Sequence, residues 1–388
     1  MTTTELTPKQ QLSELIRTSK SILLITHEHP DGDALGSLLA LHHALTKMGK
    51  KVTSAVDGDI ADYYQFLPGI NQIEREFSSN KDLLIMVDES QAKVGNVSLK
   101  RLGENKLMIV VTPKDGILVP ENFLIEDGSF DFDAIIAVDC SSKERLGALA
   151  DRCADLFYEV PLVNIDHHPG NTNFGKINLV DIAASSTAEL LVAILEMVGR
   201  DQGLITEQVA TCLLAGIISD TSSFQNSNTT PKSLTVAAQL VAAGGKQQEI
   251  VRELFKNRSL AMLRLWGRAL SYIKEDAPHR FAWSTLSKAD FVASQATPDM
   301  ARSLIDELLK TAQGVDFVLL LTEEDGSVVG NLRSVKPTAD VRQLAVSFGG
   351  AGHAQAAGFT LEDAKIQEKE QEIISQIRQL LTDGLSAV

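Results

Sequence analysis

The sequence predicts an α/β protein. A parallel sheet with helices packed on it carries a β-rich insertion, and a helical link leads to a second, smaller α/β region. Three observations carry this reading. A strand-like run, a helical run and a further strand follow one another at 21–26, 34–48 and 51–56, the order of a βαβ unit. The same rhythm resumes from residue 133. Several apolar runs also stop abruptly at acids or histidines, the position where open α/β sheets place their ligands.

Taken in order, Thr7-Pro8 with Gln10 reads as a helix start, with proline at the first helical position and a helix to about Arg17. A buried strand covers 21–26. A helix from Ala34 to Met48 is stopped by Gly49, and "KVTSAV" is the next strand. Residues 80–132 differ: "LLIMVDE", "KLMIVVTP" and "ILVPENFLI" are strand-like, with Asp-Gly turns at 115–116 and 127–128. This stretch is expected to form a dimer contact, gate a cleft or extend the sheet. "DAIIAVD" and "PLVNID" resume the sheet around a helix from Glu144 to Asp155. Helices follow at Ser185–Val198, Thr206–Ser219 and from Thr230-Pro231 to near Gly244-Gly245. The expected division is a first domain over 1–245, a helical link over 246–275 and a second domain over 276–388. In the last, a strand (280–285), a helix (299–312), a hairpin (315–322 and 327–334), a helix (339–347), a glycine loop, a strand (355–360) and a final acidic helix are expected.

Composition narrows the function. The chain has 388 residues, 44% hydrophobic and 22% charged, and reads as an ordinary globular protein. No apolar run approaches the roughly 20 residues needed to span a bilayer. The opening "MTTTELTPKQQLSELI" lacks the plan of a signal peptide. Cys140, Cys153 and Cys212 are scattered, which fits a reduced, cytoplasmic setting and no zinc spacing. A net charge of −15 argues against a protein that grips long nucleic acid through many phosphates, but not against a short nucleotide substrate.

The acids and histidines come in four groups. The first strand leads into His27, Asp31 and Asp33, and "AIIAVD" ends at Asp139. "LVNIDHH" ends at Asp166, His167 and His168, and "LLAGIISD" at Asp220. Asp31, Asp33, Asp139 and Asp220 together match the charge of two divalent cations. His27 and one of the histidine pair add nitrogen ligands. Magnesium prefers oxygen alone and imidazole suits later divalent ions, so manganese is the first choice, with magnesium or cobalt as alternatives. Two such ions side by side clamp the attacking and leaving oxygens of a phosphoryl transfer.

These motifs in this order, "HEHPDGDALGS", "VDCSSKERLG", "DHHPGN", "GIISDTSSF" and, far downstream, "NLRS" with "GGAGHAQAAGF", resemble the DHH phosphoesterases that carry a DHH-associated C-terminal domain. The likeness covers nearly the whole chain. It is greatest to the small cytoplasmic members that degrade very short oligoribonucleotides (nanoRNA) and dephosphorylate 3′-phosphoadenosine 5′-phosphate. The resemblance implies one metal held by His27, Asp31 and Asp139, and another by Asp33, Asp139, His167 and Asp220. Asp139 would bridge them. His168 would face the scissile phosphate, and Asp166 would orient a ligand histidine. Arg333, Ser334 and the loop Gly349, Gly350, Gly352 and His353 would hold a nucleotide end, with Ala351 standing where the family more often has glycine. Spacing between that loop and the metals would favour substrates a few nucleotides long and yield 5′-mononucleotides.

Other features read as structural. His29 shapes its loop, His42 and His43 pack or lie on a helix surface, and Asp57-Gly58-Asp59 is a turn. Ser185, Ser186 and Thr187 cap a helix. Three other substrates or roles are compatible with the motifs. One is a signalling dinucleotide such as pApA, pGpG or a cyclic parent. A RecJ-like exonuclease on long single strands fits less well with the acidic chain. A non-catalytic nucleotide sensor would show decayed ligands, and here all are present.

Overall fold

Strand β1 (Ser21–Ile25) lacks polar alternation because both its faces are covered. Ile22 and Leu24 turn to one side, into a core with Leu35, Leu38, Ile136 and Ile217. Leu23 and Ile25 turn to the other, against Ile135, Ala137, Leu149 and Leu156. The computed structural model describes residues 6–75, 77, 80–199, 202–307, 309–336 and 338–383. They divide into two units, Met1–Asn257 and Arg258–Val388.

The first unit opens with α1 (Pro8–Thr18), capped by Thr7, whose hydroxyl accepts from the Gln10 amide. Strand β1 leads through α2 (Gly32–Lys47) to β2 (Lys51–Ala55) and β3 (Ile73–Glu74). After the insertion come β8 (Ala134–Val138), β9 (Leu162–Asp166) and β10 (Ile177–Val180). The sheet order is β10-β9-β8-β1-β2-β3, and each pairing is parallel. The chain leaves β1 towards β2 and returns on its other side as β8. The loops after β1 and β8 therefore diverge, and this switch point opens a crevice at the strands' carboxyl ends.

Helices α5 (Thr187–Gly199), α6 (Glu207–Asp220), α7 (Pro231–Ala242) and α8 (Gln247–Val251) complete the unit. Helices α2 and α6 cross closely. A Cβ added at Gly36 would lie 2.4 Å from the Cys212 carbonyl oxygen, and one at Gly216 would lie 2.6 Å from an Asp33 carboxylate oxygen. Glycine at this crossing lets α2 bring Asp33 against α6, which ends in Asp220.

The structure departs from the sequence reading in several places. The helix expected from Glu144 to Asp155 is broken into a 3-10 turn (Lys143–Leu146), α3 (Ala148–Arg152) and α4 (Ala154–Glu159). Gly147 at φ 62° interrupts it, and the Ala148 amide is capped by the Asp57 carboxylate, so the "DGD" turn holds a helix end. Strand β10 was not anticipated, because four residues show too little periodicity to be read. Residues 80–132 form two separate antiparallel pairs, β4 (Lys81–Val87) with β7 (Phe123–Phe130), and β5 (Val94–Arg101) with β6 (Leu107–Pro113). The stretch 246–275 divides between the units. Its first part, α8 and a π turn (Arg252–Lys256), belongs to the first unit, and α9 (Leu260–Ser271) buries Leu265, Trp266 and Ala269 in the second.

In the second unit β11 (Lys274–Asp276), β12 (Phe281–Leu286), β13 (Phe317–Glu324), β14 (Ser327–Ser334), β15 (Ala351–His353) and β16 (Ala356–Leu361) form one mixed sheet, ordered β11-β12-β13-β14-β16-β15. Helices α10 (Lys288–Ser294), α11 (Pro298–Glu307), α12 (Arg342–Ser347) and α13 (Ile366–Thr382) accompany it. Within the helix expected at 299–312, residue 308 lies outside the described residues, and Leu309–Thr311 is a 3-10 turn. The final acidic helix has an inner face as well, burying Ile366, Ile373, Ile374 and Ile377. Among the described residues no helix is long and apolar enough to cross a membrane.

Candidate metal centre

The end of β1 is tied to β8 by the Thr26 hydroxyl, which donates to the Val138 carbonyl at 2.8 Å. His27 follows, buried. Its Nδ1 lies 2.7 Å from the Glu28 carbonyl, so that nitrogen carries the hydrogen and Nε2 keeps its lone pair. Burial lowers the His27 pKa and so favours the neutral ring, the form a metal requires. Asp31 caps α2, with Oδ1 accepting from the Asp33 and Ala34 amides at 3.0 Å each. The turn reading and the ligand reading of "HPDGD" are therefore compatible. One carboxylate oxygen caps the helix, and the carboxylate still groups with His27 and Asp139 within 4.8 Å.

Asp139 sits one residue beyond β8 at φ 53°, a left-handed conformation that costs a non-glycine residue on the order of 1 kcal/mol or more. Its amide donates to Ile165, and Oδ1 accepts from the Thr187 hydroxyl at 2.8 Å. Oδ2 lies 3.9 Å from His27 Nε2, and Oδ1 lies 3.6 Å from His167 Nε2. The two oxygens thus face two different histidines. Asp33, fully buried, accepts from the Thr187 and Ala188 amides at 2.6 and 2.9 Å, at the N-terminus of α5. With His167 and Asp220 it forms a second group of the same compactness, and Asp139, His167 and His168 form a third.

The donor set suits a divalent cation. His167 Nε2 is buried among three carboxylates, 3.1 Å from Asp220, 3.6 Å from Asp139 and 3.9 Å from Asp33, with no well-formed hydrogen bond to any of them. Burial and the neighbouring carboxylates push Asp33 and Asp139 well above the usual carboxylate range, even though two helix amides favour ionised Asp33 and His167 favours ionised Asp139. Burial opposes a charge on His167, but Asp220 and Asp139 outweigh it and raise that ring to about 9. Buried carboxylates crowded around an unpartnered imidazole nitrogen are the arrangement that a cation relieves.

His168 is held differently. Its Nδ1 lies 2.7 Å from Asp166 Oδ1, and Asp166 Oδ2 accepts from Asn171 Nδ2 at 2.6 Å. Burial works against ionised Asp166, but the bonds from His168 and Asn171 prevail and keep its pKa low, while Asp166 raises the pKa of His168. This corrects the expectation that Asp166 orients a ligand histidine. Residues two apart in an extended chain face the same way, so Asp166 reaches His168 rather than His167. His29 is exposed, at φ 51°, and joins none of these groups. His42 bonds the Ser54 hydroxyl and His43 the Pro68 carbonyl, both structural contacts.

In the second unit Arg333 of β14, Ala356 of β16 and His353 of β15 lie directly across from one another. Arg333 and His353 therefore share one face of the sheet, about 10 Å apart over a small residue. Gly349 takes φ 76° after α12, but residues 351–353 of the expected glycine loop are an edge strand. Ser334 is buried and its hydroxyl donates to the Lys336 carbonyl, which turns it away from that face. Two residues before Arg333, and on its side of the sheet, Asn331 Nδ2 is buried without a hydrogen-bond partner.

Sequence reasoning missed three residues. Thr187 looked like a plain cap in "SSTAEL", but it grips two of the clustered carboxylates. Asn171 and Asn331 stood in plain view inside "DHHPGN" and "NLRS", and only the fold gives them partners or leaves them without one.

Carboxylates and imidazoles gathered at the switch point of a parallel sheet can hold divalent metal ions, the equipment of metal-dependent phosphoester hydrolases. The chain belongs to the DHH family, whose enzymes are metal-dependent: the DHH family N-terminal domain matches residues 21–217, and the DHHA1 domain matches residues 287–383. It is 26% identical over 361 residues to the bifunctional oligoribonuclease and PAP phosphatase NrnA of Thermus thermophilus, covering 93% of this chain and 90% of that one. It is 25% identical to NrnA of Bacillus subtilis over 280 residues, 70% of this chain and 84% of the relative. The cyclic-di-AMP phosphodiesterase GdpP of Geobacillus thermodenitrificans is 26% identical over 379 residues, which is 96% of this chain but 49% of that protein. An exopolyphosphatase-related protein of Bacteroides fragilis shares the fold, with a TM-score of 0.70, 20% identity and 97% of both chains covered.

Proposed function

We propose that the protein hydrolyses very short oligoribonucleotides to 5′-mononucleotides, and 3′-phosphoadenosine 5′-phosphate to AMP, with two divalent metal ions, manganese first among them. The observation that carries the reading is Asp139, whose two carboxylate oxygens face His27 and His167 and so join the two ligand groups. The near full-length match to two NrnA proteins supports the substrate class.

In this reading His27, Asp31 and Asp139 hold one ion, and Asp33, Asp139, His167 and Asp220 hold the other. The ions would supply Lewis acidity and neutralise charge on the phosphate. Thr187 holds Asp139 and Asp33 in register, so that little reorganisation accompanies loading. Asp166 fixes Nδ1 of His168 as the hydrogen-bonded nitrogen. The ring's other nitrogen, Nε2, then donates a hydrogen bond or proton to an oxygen of the reacting phosphate. Arg333 and His353 bind a phosphate or nucleotide end, Arg333 by its planar fork. The buried Nδ2 of Asn331 offers a further donor on the same face.

The second reading keeps the chemistry and changes the substrate to a signalling dinucleotide, and the match to a cyclic-di-AMP phosphodiesterase favours it. The test is turnover of a 5′-labelled RNA series, from dinucleotide to twentymer, with manganese and with chelator. Phosphoadenosine phosphate, pApA, pGpG and cyclic di-AMP are assayed beside it. Metal-dependent hydrolysis that fades with length supports the first reading. Turnover confined to the signalling dinucleotides moves the assignment to the second, and Asp139→Ala with undiminished turnover sinks both.

A further inference from the structure

The segment 81–130 is a pair of two-stranded ribbons without a core. Of its residues only Ala92 is buried. Among the described residues β4 pairs only with β7, and β5 only with β6, so each strand keeps an open edge. Isolated two-stranded ribbons are marginal in water, and these are strongly apolar. In β4–β7, Ile85 lies opposite Ile125 on one face and Met86 opposite Leu124 on the other, with all four between 40% and 62% exposed. In β5–β6 a single face gathers Val97, Leu99, Leu107 and Ile109, 44–66% exposed. Neighbouring apolar side chains this exposed mark an interaction surface.

Charge identifies the occupant. Residues 93–114 carry five cations (Lys93, Lys100, Arg101, Lys106 and Lys114) against Glu104 alone. The flanking stretches 81–92 and 115–130 carry Lys81 against seven acids, among them Asp88, Glu89, Glu126 and Asp127. The segment is thus basic in its distal ribbon and acidic in its proximal one. Two copies related by a two-fold axis and laid antiparallel would set each basic ribbon against the other's acidic one, a self-complementary arrangement. A parallel arrangement would oppose like charges. Strands of seven and eight residues give each ribbon a face on the order of 25 Å long and 10 Å wide, so the two ribbons together offer roughly 500 Å², approaching the roughly 800 Å² per partner of a standard interface.

We infer that the protein forms a homodimer in which the 81–130 segments of two copies lie antiparallel, joining apolar faces and open strand edges. The wild-type chain then has twice its 42.0 kDa mass by light scattering at micromolar concentration. Leu99→Asp returns it to a single chain. Two charge variants sharpen the test: K100E/R101E in the basic ribbon and E126K/D127K in the acidic one. Each alone is monomeric, and mixing them restores a dimer that high salt weakens. All these side chains are exposed, so unchanged circular-dichroism melting checks that the unit remains folded. A single-chain mass for wild type overturns the inference, including a mass that rises only when RNA or anionic vesicles are added. So does a dimer that survives Leu99→Asp, or a mixture that fails to re-form one.

Discussion

The Thr187 hydroxyl donates to Asp139 Oδ1 at 2.8 Å, while the Thr187 amide donates to Asp33 Oδ2 at 2.6 Å. One residue at the start of α5 thus fixes a carboxylate from β8 and another from α2. Thr187→Val keeps the shape and the amide but removes the hydroxyl. Partners of metal ligands typically contribute 10–100-fold in affinity, so metal titration by calorimetry is expected to find at least about tenfold weaker binding. Thr187→Ser should recover most of it.

Asp166→Asn leaves all the clustered ligands in place but loosens the ring of His168 and lowers its pKa towards the ordinary value. The expected result is a kcat reduced by roughly a hundredfold, in line with general acid–base contributions, at nearly unchanged metal content. Equal losses of metal and activity would instead assign Asp166 to ligand support.

Metal removal should act on the first unit's stability. Asp33 and Asp139 are buried with their pKa values pushed upward, so ionising them disfavours the metal-free fold at neutral pH. A bound cation reverses that cost. At a hundredfold excess over Kd the linkage contribution is about 2.7 kcal/mol. Calorimetric melting with manganese and with chelator should show a clear rise in one transition on loading.

Arg333→Met tests the second unit. If Arg333 holds a phosphate, losing a charge-assisted hydrogen bond, about 1.5–3 kcal/mol, should raise KM by roughly tenfold or more and leave kcat little changed. His353→Ala should act in the same direction, since the two share a sheet face.

The second unit should also be acid-sensitive. Burial raises the Asp316 pKa, but Lys336 and Arg280 at 2.6 and 3.0 Å outweigh it and hold the carboxyl below its ordinary value. Arg378 and His279 do the same for buried Asp276. A folded pKa below the unfolded one contributes stability that is complete above the unfolded value of about 3.9 and is lost as pH falls through the folded value. Both tryptophans, Trp266 and Trp283, lie in this unit, so their fluorescence reports its melting alone. Asp316→Asn should lower that melting temperature at neutral pH and flatten its further fall below about pH 4.

Much of the site could be read in the chain because its residues stand where apolar runs end. His27, Asp31, Asp139, Asp166 and His167 follow or close β1, β8 and β9, and a run of Ile, Leu and Val with no polar alternation marks a strand buried on both faces. Helix starts at Thr7 and Thr230 were legible for a local reason, since a cap and its partner lie three residues apart. The broken helix near Gly147 was not, because the group that caps its second piece, Asp57, lies 91 residues away.

Sequence alone determined which residue types stand where the strands end, that their charge calls for cations, and that two α/β regions follow one another. Those are properties of local pattern and composition. Only the tertiary structure decided who holds whom. Parallel pairing of β1 with β8 put Asp139 beside His27, the glycine crossing of α2 and α6 put Asp33 beside Asp220, and the start of α5 delivered Thr187 to both carboxylates. These contacts join residues far apart in the chain, and their distances are set by how sheet and helices pack, which no local pattern encodes.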